Sequence, residues 1–405
     1  MTRPGPEQLD LSLTPVSRGE FWTARQRAAS TLHEISYRAC FKPPLARYFI
    51  ERFSQPGDIV YDPFMGRGTT ALESALLGRV PWGRDANPLS RMLLEPRLDP
   101  PTLEDVEERL GTYTWDAEPD PIDESLLVFF HPDTLREIKS LRAIYLHRER
   151  TGSLDPIDSW IRMVALNRLT GHSPGFFSVY TLPPNQAVSV KSQQRINARK
   201  NQTPPRREVP SLILRKSRSL LKDVTPETRA DLRKISALAR ITTGDACFAP
   251  ELPDGQVALV LTSPPFLDVV DYATDNWMRC WFAGIDSKAV QFDQHPKVPD
   301  WCRFMASAVA DSARLLQPGG VLALEIGEVR AGSILLEEHI TPLGLEAGLR
   351  AEEILLNVQD FTKTAHVWGV TNNTRGTNTN RVVLFRKPPA DRPDAIPTSN
   401  PPTRS

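Results

Sequence analysis

The chain has 405 residues, and its 49 basic and 49 acidic side chains give a formal net charge of zero. This length suits two to three domains or one enlarged domain, and the charge balance excludes a uniformly basic nucleic-acid coat protein and an acidic solvating tail. The four cysteines lack metal-binding spacing, no signal peptide is visible and no run of about 18 apolar residues occurs, which predicts a reduced cytoplasmic protein without a disulfide scaffold, metal site or membrane span.

The first predicted elements form an alternating α/β pattern. Residues 45–53 predict a helix with one apolar face, and residues 58–61 predict a short apolar strand. A glycine-rich turn, a helix over 71–77 and a strand over 80–85 follow. Strand, glycine turn, helix and strand in this order are the unit of a doubly wound α/β sheet.

This pattern stops in the middle of the chain, where helical periodicity and a charge inversion replace it. Residues 133–147 and 158–169 predict helices. Between residues 191 and 222 the basic side chains face a single acid, Glu208. These basic residues are Lys191, Arg195, Arg199, Lys200, Arg206, Arg207, Arg215, Lys216, Arg218 and Lys222. The neutral total charge therefore conceals a strongly basic stretch.

The α/β pattern returns in the last third of the chain. A strand over 257–261, a helix over 303–316 and strands over 321–326 and 381–385 are predicted. The fold class is thus predicted as α/β, with a doubly wound Rossmann-like sheet interrupted by a mostly helical insertion.

The composition predicts the domain organisation. It consists of a flexible N-terminus at 1–17, two sheet halves at 18–98 and 241–387, the helical and basic insertion at 99–240, and a disordered tail at 388–405.

The glycine-rich turn is the first candidate binding element. It reads Asp62-Pro63-Phe64-Met65-Gly66-Arg67-Gly68-Thr69-Thr70. Glycines let the backbone approach a ligand closely, and the following helix directs its N-terminal amides toward that ligand. A mononucleotide phosphate loop would carry Lys after its last glycine, and this turn does not. A tight turn without any ligand is the alternative.

Acidic residues at two further strand ends are the next candidates. Asp85 ends the 80–85 strand and could accept hydrogen bonds from ribose hydroxyls. Asp245, followed by Ala246, precedes the 257–261 strand and could accept from an adenine amino group. A solvated loop acid is the alternative for each of them.

The sharpest motif follows the 257–261 strand and reads Thr262-Ser263-Pro264-Pro265-Phe266. Two prolines fix the backbone, so that a hydroxyl and a carbonyl form a rigid pair of acceptors suited to an exocyclic amine. The aromatic ring offers a stacking face for a base. A proline-rich loop with the ring in the core is the alternative.

Together these motifs resemble those of the S-adenosylmethionine-dependent DNA amino-methyltransferases, which modify cytosine N4 or adenine N6. Residues 62–69 resemble the family's cofactor loop, D-P-F-x-G-x-G-T, and residues 262–266 resemble its catalytic loop, S/D/N-P-P-Y/F/W. Residues 41–45 resemble the segment that closes over the methionine end of the cofactor. The resemblance covers 36–95 and 241–387; it departs from the family in having Phe266 where Tyr is commoner.

The resemblance implies a function and its site residues. S-adenosylmethionine would be bound by Phe41, Lys42, Asp62, Pro63, Phe64, Gly66, Gly68, Thr69, Asp85, Asn87, Asp245 and Ala246. Methyl transfer to a flipped base in double-stranded DNA would use Ser263, Pro264, Pro265 and Phe266. Serine in the loop favours cytosine N4; adenine N6, RNA methylation and a non-catalytic DNA-binding role remain alternatives. The resemblance suggests restriction-modification and leaves open a cognate restriction endonuclease.

DNA contacts are predicted in two places. The basic 191–222 stretch is expected to bind phosphates through Lys191, Arg195, Arg199, Lys200, Arg206, Arg207, Arg215 and Lys216. A polar loop before the last strand offers Asn372, Asn373 and Arg375. A solvated, partly disordered loop is the alternative for the first segment, and a plain hairpin loop for the second.

Overall fold

A computed structural model describes the following parts of the chain: residues 14–21, 29–37, 40–115, 124–181, 187–265, 267, 272–286, 290, 295, 297–326, 334–358 and 379–389. Four predicted site residues, Phe266, Asn372, Asn373 and Arg375, lie outside the described residues. The predicted tail at 388–405 lies outside them as well, except for its first two residues.

The described residues form one eight-stranded sheet with the order β1-β7-β8-β6-β5-β2-β3-β4. Its strands are β1 Val16–Gly19, β2 Ile59–Asp62, β3 Val80–Asp85, β4 Arg240–Thr243, β5 Val257–Thr262, β6 Leu316–Ile326, β7 Arg350–Val358 and β8 Thr379–Arg386. β8 runs antiparallel to β6 and β7, and the other pairs are parallel. β3 lies on one side of β2 and β5 lies on the other, so the strand order reverses at β2. In such sheets a ligand is expected at the carboxyl ends of the strands where the order reverses.

Twelve helices surround this sheet in the described part of the chain. They are α1 Pro43–Phe53, α2 Thr69–Leu76, α3 Leu89–Leu98, α4 Leu103–Gly111, α5 Pro132–Thr151, α6 Pro156–Leu166, α7 Val190–Lys200, α8 Val209–Leu220, α9 Pro226–Ser236, α10 Tyr272–Ala283, α11 Val298–Leu315 and α12 Leu336–Glu346. No helix among them combines the length and the apolar character that crossing a membrane requires.

The central strands are apolar throughout because helices cover both faces of the sheet. In β5, Leu259 and Leu261 join the core beneath α1, where they meet Phe49. Val260 points to the opposite face and joins the core of α11, which includes Met305. The predicted α/β class with a doubly wound sheet is therefore confirmed.

The insertion shares a continuous core with the first half of the sheet domain. Leu93 and Leu94 of α3 belong to the same buried cluster as Trp160 of α6 and Val209 of α8. Six helices, α4 to α9, occupy residues 99–240 in the described part. The insertion thereby extends the helical layer on one side of the sheet.

The segment predicted as a flexible N-terminus, residues 1–17, overlaps a strand at its end. β1 begins at Val16 and pairs in parallel with β7, with Val16 opposite Ile354. The strand is short and polar, so its sequence carries little periodicity. It is held by main-chain pairing to a strand that follows more than 300 residues later.

Candidate active site

The turn between β2 and α2 has a backbone that two of its glycines make possible. Gly66 and Gly68 have φ angles of +53° and +77°, which side-chain-bearing residues rarely adopt. A Cβ on Gly68 would lie 2.8 Å from Cδ1 of the buried Leu94, and a Cβ on Gly66 would lie 3.3 Å from the Cys40 sulfur. The predicted loop is thus a tight turn that leads directly into the first turn of α2.

Asp85, at the end of the next strand, holds this glycine turn in place. Its carboxylate accepts the Gly66 N–H at 2.7 Å and the Asn87 N–H at 2.8 Å. Burial raises the pKa of Asp85, and the two backbone N–H groups oppose that rise by stabilising the charged form. The side chain predicted to meet ribose is thereby also the one that holds the loop to β3.

Asp62 joins the two predicted loops, which are 200 residues apart in the chain. Its Oδ1 accepts the Thr262 hydroxyl at 2.6 Å and the Phe64 N–H at 3.1 Å. Asp62 is 2% exposed. In parallel, the Thr70 hydroxyl donates to the Leu261 carbonyl at 3.1 Å. The cofactor-type loop and the Thr-Ser-Pro-Pro loop therefore meet at one edge of the sheet.

The buried Asp62 predicts a pH effect on stability. Burial raises the pKa of its carboxyl to about 7, although Thr262 and the Phe64 N–H favour the charged form. Such a group binds more protons in the folded chain than in the unfolded chain above its ordinary pKa of about 3.9, so stability falls as pH rises toward 7. In urea denaturation, we expect the free energy of unfolding of Asp62→Asn to fall less than that of the wild type from about pH 5 to about pH 7.

The exposed Asp231 supplies the control for this measurement, because its side chain is 72% exposed. Asp231→Asn is expected to follow the wild type across the same pH range. If the free energy of unfolding of Asp62→Asn fell as steeply with pH as that of the wild type, Asp62 would not be the source of the pH effect.

Ser263 begins the Pro-Pro loop and has an acidic partner. Its hydroxyl donates to Oε2 of Glu325 at 2.6 Å. Glu325 is a buried residue near the end of β6, the strand beside β5. The indole of Trp301 donates to the Pro265 carbonyl at 2.9 Å and holds the second proline. With its proton engaged by Glu325, the Ser263 oxygen offers its lone pairs to an incoming donor.

Arg67, inside the glycine turn, forms hydrogen bonds to the segment that precedes α1. Its guanidinium donates to the carbonyls of Ile35 at 2.9 Å and Phe41 at 3.4 Å. It also donates to the Thr69 hydroxyl at 3.1 Å. Lys42 is exposed at the N-cap of α1. The structure therefore brings Phe41 to the cofactor-type loop, in which Arg67 also bonds to Thr69.

The remaining predicted cofactor residues lie along the same edge. Asp245 and Ala246 follow β4, which pairs with β3; Asp245 is exposed and its carbonyl accepts from Arg84 at 2.7 Å. Phe64 packs against Phe304 of α11 with ring centroids 5.8 Å apart. The predicted set, with Pro63 between Asp62 and Phe64, is thus assembled at the carboxyl ends of β2, β3 and β4.

The 29–37 segment connects this edge to the insertion. Its Tyr37 hydroxyl accepts from the Asn87 amide at 3.2 Å, next to Asp85. Ser36 donates its N–H to the Asn167 side chain at 2.9 Å, and its carbonyl accepts from Arg279 at 3.0 Å. The candidate cofactor site and the helical insertion are therefore linked through two consecutive residues.

The predicted phosphate-binding residues divide into groups. Lys191, Arg195, Arg199 and Lys200 are exposed on α7, and the Lys200 ammonium lies 4.3 Å from the Tyr180 ring centroid. Arg206 is paired with Glu137 of α5, so its charge is partly neutralised within the protein, and Arg207 is half-buried beside it. Arg215 and Lys216 lie on α8, apart from the α7 group.

Sequence reasoning missed Glu325, Arg67 and Tyr37. A single acid inside the apolar strand 321–326 was a usable signal for Glu325, since a charge buried in a strand needs a polar partner. Tyr37 gave no such signal, because its role depends on tertiary contact. No cluster of acidic, His and Cys side chains suited to a metal occurs in the described ranges.

Comparisons with known proteins agree with this arrangement. A family model described as DNA methylase matches residues 11–88. The type II methyltransferase M.BsoBI of Geobacillus stearothermophilus is 24% identical over 293 residues, which make up 64% of this chain and 53% of that protein. The orphan methyltransferase M.BamHII of Bacillus amyloliquefaciens is 50% identical over 52 residues, or 12% of this chain and 20% of that protein. The chain thus spans about half the length of M.BsoBI.

Among solved structures, the chain matches an S-adenosylmethionine-dependent methyltransferase from Methanosarcina mazei. Its TM-score is 0.34 at 10% identity, and the match covers 84% of this chain and 98% of that one. The strand order and the helices on both faces of the sheet give an α/β Rossmann-like fold. These sequence matches confirm the resemblance to the S-adenosylmethionine-dependent DNA amino-methyltransferases.

Proposed function

We propose that the protein transfers a methyl group from S-adenosylmethionine to the exocyclic amine of a base in DNA. The observation that carries this proposal is the hydrogen bond between Asp62 and Thr262. It joins a loop shaped for a close ligand to a loop that begins with a hydroxyl acceptor. A donor of methyl groups and an amine held by these two loops would meet at one edge of the sheet, which is the requirement for transfer.

The residues around the glycine turn fit the proposed cofactor. The close packing behind Gly66 and Gly68 leaves backbone in place of side chains where a ligand would lie. Asp85 and Asp245 offer carboxylate acceptors at neighbouring strand ends, suited to ribose hydroxyls and an adenine amine. Phe64 offers an aromatic face. When bound, S-adenosylmethionine supplies an electrophilic methyl group on its sulfonium.

The pair of Ser263 and Glu325 supports a role for the loop in handling the amine. An aromatic exocyclic amine is a poor nucleophile because its lone pair is delocalised into the ring. An amine proton donated to the Ser263 oxygen would localise that lone pair. The amine must lose one proton when its new N–C bond forms. Ser263 can accept this proton and pass its own to the Glu325 carboxylate.

We propose cytosine N4 as the target, since a neutral serine begins the loop. Adenine N6 is the second candidate. The matching family model is described as DNA methylase, which supports DNA as the substrate. The relative M.BsoBI is named a type II methyltransferase, which favours a restriction-modification origin and leaves the partner endonuclease open. Double-stranded DNA as the substrate requires that the target base be flipped out of the helix.

The experiment is tritiated methyl transfer to unmethylated genomic DNA, followed by nucleoside mass spectrometry. We expect N4-methylcytosine as the labelled nucleoside. N6-methyladenine would keep the proposed chemistry and overturn the choice of base. An absence of label on DNA, with label on RNA supplied in parallel, would overturn DNA as the substrate.

A further inference from the structure

A group of cations lies in the insertion and on the neighbouring α10, beside the candidate site. Arg168 follows α6, Arg215 and Lys216 lie on α8, and Arg279 lies on α10. Within the described part of the chain, none of the three arginines forms an ion pair with a carboxylate. The nearby acids are Glu34, which is 3.9 Å from the Lys216 ammonium, and Asp275 on the helix of Arg279 itself.

The donors of this group converge on one point of the surface. The position that a Cβ on Gly175 would take lies 3.5 Å from the Ser173 hydroxyl, 3.6 Å from Nη2 of Arg215 and 3.9 Å from Nη1 of Arg168. Ser173 is exposed and Gly175 is half-buried, so this point is open to solvent. We call the site formed by Arg168, Ser173, Gly175 and Arg215 the Gly175 cradle.

The two guanidinium groups are held in place without being neutralised. Nη2 of Arg215 donates to the Pro174 carbonyl at 3.3 Å, and Nε of Arg168 donates to the Asn167 carbonyl at 2.9 Å. The Arg168 guanidinium also lies 4.0 Å from the Phe176 ring centroid. Carbonyls and an aromatic face orient the charges but leave the positive potential for an anion.

Like charges that are kept together raise the free energy of their charged forms. Burial, with help from Arg279 and Arg215, lowers the pKa of Arg168 to about 10. Burial and the neighbouring Arg168 lower the pKa of Lys216 to about 8. Bringing an anion to this place would relieve the repulsion, which is what a phosphate-binding site requires.

Residues beside the cradle are connected to the candidate cofactor site. Asn167 and Arg279 both bond to Ser36, whose neighbour Tyr37 contacts Asn87 at the candidate cofactor site. We infer that the Gly175 cradle binds a phosphodiester group of the DNA backbone close to the base that is methylated. This inference rests on the proposed function, because it takes duplex DNA as the partner.

The test compares two variants that disturb the cradle in different ways. Arg168→Gln/Arg215→Gln removes the charge. Gly175→Ala keeps the charge and fills the space, and its Cβ meets only ordinary contacts, so the fold should persist. The control is Arg350→Gln, since Arg350 is 74% exposed at the start of β7, which lies next to the β1 edge of the sheet.

In the presence of S-adenosylhomocysteine, each protein is titrated with a mixed-sequence DNA duplex at several salt concentrations. We expect both cradle variants to bind the duplex about tenfold more weakly, with the slope of log K against log salt shallower by about 0.9 for the charge variant. Affinity for S-adenosylhomocysteine should match the wild type in all variants. Arg350→Gln should bind DNA as the wild type does.

The outcomes separate the inference from the proposed function. Cradle variants that bind the duplex as Arg350→Gln does would overturn the inference, whether or not the wild type methylates DNA. A wild type that binds no duplex, or a loss seen only with RNA, would also overturn it. Duplex binding that depends on the cradle, without methyl transfer by the wild type, would leave the inference standing and overturn the proposed function.

Discussion

Ser263→Ala is expected to abolish most methyl transfer while leaving cofactor binding intact. The change removes the hydroxyl that links the Pro-Pro loop to Glu325 and leaves the Asp62–Thr262 bond unchanged. Loss of one pre-organised polar group at a reacting centre lowers kcat by about 10²–10³-fold. Single-turnover methyl transfer measures this loss, and isothermal titration with S-adenosylhomocysteine measures cofactor affinity.

A matched surface pair provides the control for Ser263→Ala. On the exposed face of α8, Ser211 donates to Glu208 at 3.1 Å, so Ser211→Ala removes a similar bond away from the site. We expect wild-type activity from that variant. Equal activity of Ser263→Ala and Ser211→Ala would contradict a catalytic role for the loop.

Glu325→Gln tests whether Ser263 and Glu325 act as one unit. Groups that act together show non-additive losses. Glu325→Gln alone is expected to slow methyl transfer, and to add little once Ser263 has been replaced by alanine. Fully additive losses in the double variant would show that the two residues act independently.

The central part of the fold could be predicted from the sequence because its signals are local. β5 is a continuous apolar run, as expected for a strand covered on both faces, and the turn before α2 contains its glycines at the positions that need positive φ. The strand β1 could not be predicted, since four residues with little periodicity are held by a distant partner. The same holds for β7, whose start carries two glutamates.

The basic stretch shows how charge can conceal helices. The sequence of α7 and α8 predicts a basic segment, with a partly disordered loop as the alternative. α7 buries only Gln193 and Ile196, too few apolar positions to stand out among many cations. α8 buries Leu212 and Ile213, but Arg215, Lys216 and Arg218 separate these two residues from the buried Leu220.

The candidate site could be predicted only as far as its motifs extend. Both loops were found because residue type and spacing carried their chemistry. The bonds that connect them, such as Asp62 to Thr262, and the partner of Ser263 depend on which strands become neighbours. Glu325 reaches Ser263 because β6 pairs with β5, and a sequence pattern does not specify that pairing.

Gly68→Ala is expected to weaken cofactor binding and to destabilise the fold. An alanine at φ +77° costs about 1–2 kcal/mol in backbone strain. Its Cβ would also lie 2.8 Å from Leu94, which is fully buried and has little room to move, and such overpacking adds about 1–3 kcal/mol. The loop can relieve this contact only by shifting the backbone that the cofactor would approach. Urea denaturation and titration with S-adenosylhomocysteine measure the two effects.

Gly57→Ala separates the strain from the clash. Gly57 has φ +90° in an exposed turn before β2, and its Cβ would meet nothing within 4 Å. This variant should therefore show the backbone cost of about 1–2 kcal/mol and unchanged cofactor affinity. If Gly68→Ala matched Gly57→Ala in both measurements, the close packing behind the turn would not shape the cofactor site. A further loss of affinity at Gly68 alone would show that it does.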